Sequence, residues 1–269
     1  MKRKIETNLH THTTFCDGKN TVDEMVEKAI EKGFSILGFS GHGYFEKDTD
    51  FSMDLETEKK YRDAVLKAKE KYKEKIHIFL GIEEELEGTR YSKPKYDYII
   101  GSVHHLHEPI DKNKEIQVHE INTYYGGDFI LYAKDYYEKV AQYAKRPEVD
   151  IIGHLDLLMK FNEDESLCPF DQKEYVSIVK ECIDVLIDAG KIFEMNTGAI
   201  ARGYRTKPYP QVNLLKYICE QGGKICINSD CHDKNYLDCS YDLAREIARQ
   251  MGFKKQSILT DQGFIEIDL

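Results

Sequence analysis

At 269 residues the chain is long for one ordinary domain but suits a single α/β barrel, which takes about 250 residues. Hydrophobic residues at 41% allow a sizeable core, while 32% charged residues and a negative mean hydropathy point to a water-facing surface. The net charge of −10 argues against a nucleic-acid surface, and no apolar run approaches the ~20 residues of a membrane helix. The N-terminus "MKRKIETNLHTH" carries basic residues with no apolar stretch behind them, so no secretion signal is expected. Seven cysteines, odd in number and without a C-x-x-C pair, read as reduced thiols of a cytoplasmic protein. An acidic protein that binds phosphates must gather cations at one place, and bound metal ions would meet that need.

In chain order, "TNLHTHTTFCDG" opens the pattern with His10 and His12 two apart in an extended segment, so both project from one face, with Asp17 just beyond. The helix expected over 21–33 has Thr21 as cap, Glu24 three residues on as a capping box and Gly33 past its end. A strand over 35–42 ends at His42. After an excursion over 44–61, a helix is expected over 58–74 and a strand over 76–86 that contains Glu83. The strand over 96–106 reaches His104, and a second excursion covers 110–128. Then come a helix over 132–146, a strand over 149–158 with His154, a helix over 173–190, a strand over 191–197 and a third excursion over 202–211. A strand over 223–232 ends in "SDCH" with Asp230 and His232, and a helix over 241–252 follows. Strand followed by helix, six or seven times, predicts a parallel sheet closed as a barrel or doubly wound, in one domain spanning 1–269.

Histidines and acids therefore fall at the C-terminal ends of separate strands, where a closed parallel sheet converges on one axis. Imidazole and carboxylate donors without thiolate suit zinc, manganese or iron, and nine such donors are too many for one ion. Cys231 falls on the opposite face from Asp230 and His232. Glu83 and Glu85 share a face, and Glu83, directly after "LGI", is the preferred donor. His77, His105, His107 and His119 keep structural readings, because they lie at strand starts, on the alternate face or in polar loops.

The series "LHTHTTFCDG", "GFSGH", "LGIE", "GSVHHL", "IIGHLDL" and "NSDCH" resembles the polymerase and histidinol phosphatase (PHP) family. The resemblance implies a distorted (β/α)7 TIM-like barrel with three divalent metal ions. It implies one ion held by His10, His12, Glu83 and Asp230, a second by Glu83, His104 and His154, and a third by Asp17, His42 and His232. Many relatives have histidine where this chain has Asp17, which keeps an oxygen donor and adds negative charge.

"HLDLLMKF" and "EMNTGAIARGYRTKPYPQ" resemble the stand-alone histidinol phosphatases of the family. That implies a small-molecule phosphomonoester substrate, L-histidinol phosphate, hydrolysed in histidine biosynthesis by a metal-bridging hydroxide. Arg202 and Arg205, in the loop after "IFEMNT", and Lys160 are candidates for the phosphate oxygens; for each the alternative is a solvated surface cation. Asp17 is the candidate for proton transfer to the leaving group. Asp111, Glu115 and Tyr204 are candidates for the substrate's amine and imidazole. The competing readings are a phosphotyrosine phosphatase, a 3′–5′ exonuclease and a non-catalytic metal-binding barrel.

Overall fold

A computed structural model describes residues 6–269. Seven parallel strands alternate with helices: β1 (Thr7–Asn8), β2 (Ile36–Phe39), β3 (His77–Glu85), β4 (Tyr98–Ser102), β5 (Ile151–Ile152), β6 (Ile192–Asn196) and β7 (Lys224–Asn228). Each pairs with the next in sequence order. Past the strand ends, Thr11 and Cys231 form a parallel bridge that draws β7 back beside β1. The fold is thus a distorted seven-stranded barrel, as expected.

The side chains on the inner face change along the strands. Toward the N-terminal end they are apolar, including Leu9, Ile36, Phe79, Tyr98, Ile151, Ile192 and Cys226. Tyr98 fills the middle, and Gly38 and Gly81 leave room for it, since a Cβ at either would overlap its ring. Only above that layer do polar residues begin, so the apolar plug carries the fold and the C-terminal rim is left for chemistry.

Around the barrel run α1 (Val22–Glu31), α2 (Leu55–Tyr72), α3 (Lys114–Tyr124), α4 (Phe129–Ala141), α5 (Lys173–Asp188), the short α6 (Gly198–Ala201), α7 (Val212–Glu220) and α8 (Tyr241–Gln250). Helix α1 has the expected capping box between Thr21 and Glu24, and Gly33 takes a positive φ of 80° at its exit. Val22, Met25, Val26 and Ala29 make its buried stripe.

Three elements depart from expectation. The excursion over 110–128 contains α3, which has no strong apolar stripe because it buries polar groups: Gln117 Nε2 donates to Leu158 O at 2.6 Å and Glu120 Oε1 accepts from His107 N at 2.8 Å. The strand expected over 149–158 pairs only at Ile151–Ile152, and a 3-10 turn follows at Leu157–Met159. Residues 255–268 form an antiparallel hairpin, β8 (Lys255–Thr260) and β9 (Gly263–Asp268), which the strand–helix pattern does not anticipate. Its Ile258 and Leu259 join the cluster of residues lining the barrel interior, so the hairpin closes the lower end. Ile258→Ala should cost about 2–5 kcal/mol in denaturant unfolding; a loss below about 1 kcal/mol would mean that the hairpin is not part of the core.

Candidate metal centre

Barrel closure decides which strand ends meet. His12 N donates to Cys231 O at 2.9 Å and Cys231 N to His10 O at 3.0 Å, so residues 10–12 lie against residues 230–232. On the next ladder His42 bridges to Glu83. His154 and Asp230 take positive φ values of 22° and 47°, a conformation disfavoured for residues with a side chain and often found at functional sites.

Four donor atoms converge first. His10 Nε2 lies 3.1 Å from Glu83 Oε2 and 3.6 Å from Asp230 Oδ1; His12 Nε2 lies 3.5 Å and 3.2 Å from the same two oxygens. A tetrahedral shell with metal–ligand bonds near 2.1 Å has edges of about 3.4 Å, so the spacing fits one ion. The second group centres on the other Glu83 oxygen, with His154 Nε2 at 3.1 Å and His104 Nε2 at 3.5 Å from Oε1. In the third, Asp17 Oδ2 faces His232 Nε2 at 2.9 Å, and its Oδ1 faces His42 Nε2 at 3.8 Å and His12 Nδ1 at 3.4 Å.

The residues present fit a cation. His10 Nε2, His12 Nε2, Glu83 Oε2 and Asp17 Oδ1 are buried with no hydrogen-bond partner, which is costly for polar atoms unless something fills the space between them. The electrostatics agree. Burial alone would lower the His10 pKa, yet Glu194, Glu83 and Asp230 hold it well above the imidazole range. Burial likewise opposes ionisation of Glu83, Asp230 and Asp17, yet their histidine neighbours, with Arg202 foremost at Asp230, keep all three well below the carboxylate range. His42 is lowered to about 4 by burial, while His104 is raised to about 9 because Glu83 and Glu85 outweigh burial. The cluster thus combines ionised carboxylates with imidazoles, the donor chemistry of a divalent-metal centre.

Sequence reasoning missed the residues that aim these donors. Glu194 is wholly buried and receives four hydrogen bonds: from His10 Nδ1 at 2.7 Å, Asn228 Nδ2 at 2.9 Å, His154 N at 2.9 Å and Asn196 Nδ2 at 2.9 Å. By holding Nδ1 of His10 it leaves Nε2 to face the cluster. Its only sequence signal is a carboxylate in the middle of an apolar strand, "IFEMN". Glu85 does the same for His104, accepting from its backbone N at 2.8 Å and facing Nδ1 at 3.0 Å. Ser102 Oγ donates to Glu83 Oε1 at 2.7 Å. Glu84 turns the other way, to Arg146.

The three cationic candidates separate. Arg202 lines the cavity above the cluster, with Nη2 3.0 Å from Asp230 Oδ2 and its side chain 33% exposed. Lys160 also lines it and donates to Asp111 O at 2.6 Å and Oδ2 at 3.1 Å. Arg205 does not line it. Its side chain is 2% exposed, 3.8 Å from Asp156 and 3.9 Å from Glu163, and it stacks on Tyr209 at 4.5 Å. The expectation of a phosphate-facing Arg205 is corrected: the loop after β6 folds back and buries this guanidinium in the wall. Of the candidates for the amine and imidazole, Asp111 lines the cavity, Glu115 is exposed in the first turn of α3, and Tyr204 packs on Phe161. His107 stacks on Tyr124 at 4.1 Å. The cavity encloses about 300 Å³, the lower end of the ~300–1,000 Å³ range of small-molecule sites. No helix among the described residues is long and apolar enough to cross a membrane.

Comparison with known proteins adds a lineage. A probable histidinol-phosphatase of Schizosaccharomyces pombe is 27% identical over 264 residues, covering 90% of this chain and 86% of that one. A probable histidinol-phosphatase of Deinococcus radiodurans is 28% identical over 252 residues, covering 88% and 91%. Histidinol phosphate phosphatase from Lactococcus lactis, solved with zinc, L-histidinol and phosphate, superposes with a TM-score of 0.73 at 21% identity, covering 97% of this chain and 98% of that one; at that identity the likeness shows a shared fold. The PHP domain model matches residues 8–198, a span that includes every strand end of the cluster except the one at Asp230 and His232. The chain belongs to the PHP domain family.

Proposed function

We propose that this protein is a cytoplasmic phosphoric monoester hydrolase that converts L-histidinol phosphate to L-histidinol and phosphate, using three divalent ions drawn from zinc, manganese and iron. The observation that carries the reading is the convergence of Asp17, His42, Glu83, His104, His154, Asp230 and His232 on one small cavity, with His10 and His12 buried against Glu83 and Asp230. The histidinol-phosphatase relatives, which align with about nine-tenths of the chain, supply the substrate. His10, His12, Glu83 and Asp230 would hold one ion, Glu83, His104 and His154 a second, and Asp17, His42 and His232 a third. Ions held there would neutralise phosphoryl charge and acidify water at neutral pH.

The chain's own groups complete the site. Arg202, fixed by Asp230 and open to the cavity, presents guanidinium N–H groups to non-bridging phosphate oxygens. Lys160, anchored to Asp111, adds positive charge to the cavity lining. Both oxygens of Asp17 face histidines, which supports a ligand role over that of a proton donor. Asp17→Asn should lower metal content by about one ion per chain. Full metal content with lost activity would make Asp17 the proton-transfer group instead. Arg202→Ala should raise KM for the phosphomonoester about 10- to 100-fold, the range of a charge-assisted contact; an unchanged KM would remove Arg202 from the phosphate site.

The function is tested by assaying Mn²⁺- and Zn²⁺-loaded protein against L-histidinol phosphate, phosphotyrosine and a short oligonucleotide, with metal analysis on the same samples. Preference for L-histidinol phosphate is expected. A preference for either other substrate would identify a phosphotyrosine phosphatase or an exonuclease, and no hydrolysis by fully loaded protein would leave a metal-binding barrel.

A further inference from the structure

Two acids of the cavity lining hold a permanent cation: Asp111 receives Lys160 and Asp230 takes Arg202. Asp48 differs, because among the described residues no lysine or arginine pairs with it. Its partner is His105, whose Nε2 lies 3.2 Å from Oδ2, the two side chains being 17% and 8% exposed. Both line the cavity. Burial pushes the Asp48 carboxyl up, and Asp111 and Asp50 add to this against His105, as befits an anion short of a cation.

The same loop, between β2 and α2, supplies two aromatic rings. Phe45 packs on the His105 ring at 4.9 Å, and Phe51 lines the cavity while remaining 41% exposed. The loop is pinned by Asp48 N to Phe45 O at 3.1 Å, Met53 N to His42 O at 3.1 Å and Phe45 N to Ser52 Oγ at 3.2 Å, so these groups are presented in a fixed arrangement. His104 and His105 are consecutive, and one faces the donor cluster while the other faces Asp48. Asp48 thus lines the same cavity as the cluster, on the side of His105.

Resting on the reading that a phosphomonoester occupies the cluster, we infer that Asp48, flanked by Phe45 and Phe51, selects for a cationic planar ring on the leaving alcohol. The carboxylate accepts the hydrogen bond of a protonated imidazole N–H, and the phenylalanine rings cover the faces of that cation. Charge and flatness are recognised together, whereas Asp111, already neutralised by Lys160, offers less to a cation.

The test compares L-histidinol phosphate with O-phosphoethanolamine, which keeps the ammonium and phosphate but lacks the ring. In metal-loaded Asp48→Asn the ratio of the two kcat/KM values should fall about 10- to 100-fold, the worth of a hydrogen bond to a charged group. The Kd of L-histidinol by calorimetry should rise by a similar factor. Asp48→Glu should recover part of the loss, and Phe51→Ala, at a partly exposed position, should lower the same ratio. A ratio and Kd within twofold of wild type in Asp48→Asn would overturn the inference even if the wild type hydrolyses L-histidinol phosphate well. Conversely, wild type that leaves L-histidinol phosphate intact, yet binds L-histidinol in an Asp48-dependent way, would overturn the proposed function and sustain this subsite.

Discussion

Glu83→Gln is expected to remove two ions per chain and to lower kcat/KM for L-histidinol phosphate by about 10³-fold or more, the scale for losing a preorganised electrostatic group. Its two oxygens serve different groups: Oε2 faces His10 and His12 at 3.1 and 3.5 Å, and Oε1 faces His154 and His104 at 3.1 and 3.5 Å. Glutamine preserves shape but replaces one oxygen with an N–H₂ group that cannot act as a ligand. It also removes the negative charge that compensates the surrounding imidazoles. Metal analysis by mass spectrometry together with steady-state kinetics decides the matter. Retention of the full metal complement would show that Glu83 does not bridge, and that the nine donors are divided in some other way.

Glu194→Gln should weaken metal binding about 10- to 100-fold, the usual consequence of losing a carboxylate that orients a ligating histidine. All four groups around Glu194 donate to it, from His10, Asn228, His154 and Asn196. An amide in its place would turn its own N–H₂ toward one of those donors, leaving a buried polar group unsatisfied. Competition with a chelator reads the effect directly, and a thermal melt of the metal-free protein separates it from a general loss of stability. If chelator competition matched wild type while the melt alone fell, Glu194 would be a core residue with no part in positioning His10.

Most of the site's donors were legible because they stand where a short apolar run stops. "LHTH", "GFSGH", "GSVHH", "IIGH" and "NSDCH" need only the two-residue period of a strand and the convergence of parallel strand ends to be read as one cluster. Glu194 was not legible, since a single acid in "IFEMN" signals nothing until barrel closure sets it beside His10 from the other end of the chain. Arg202 and Arg205 were indistinguishable in sequence, three residues apart in one loop. The fold back of that loop opens Arg202 to the cavity and buries Arg205 against Asp156. Helix α3 was hidden because it buries Gln117 and Glu120 through hydrogen bonds, leaving no clear apolar stripe, and the β8–β9 hairpin because it breaks the alternation of strand and helix.

By itself, then, the sequence determined the alternation of elements, the capping of α1 and the placement of imidazoles and carboxylates at strand ends. These follow from local periodicity and from residue chemistry, which act over a few neighbouring positions. Tertiary structure alone decided which donors share a space, which carboxylates aim them and which cations reach the cavity. Those outcomes depend on contacts between residues as far apart as His10 and Asp230, and on burial, which no local pattern encodes.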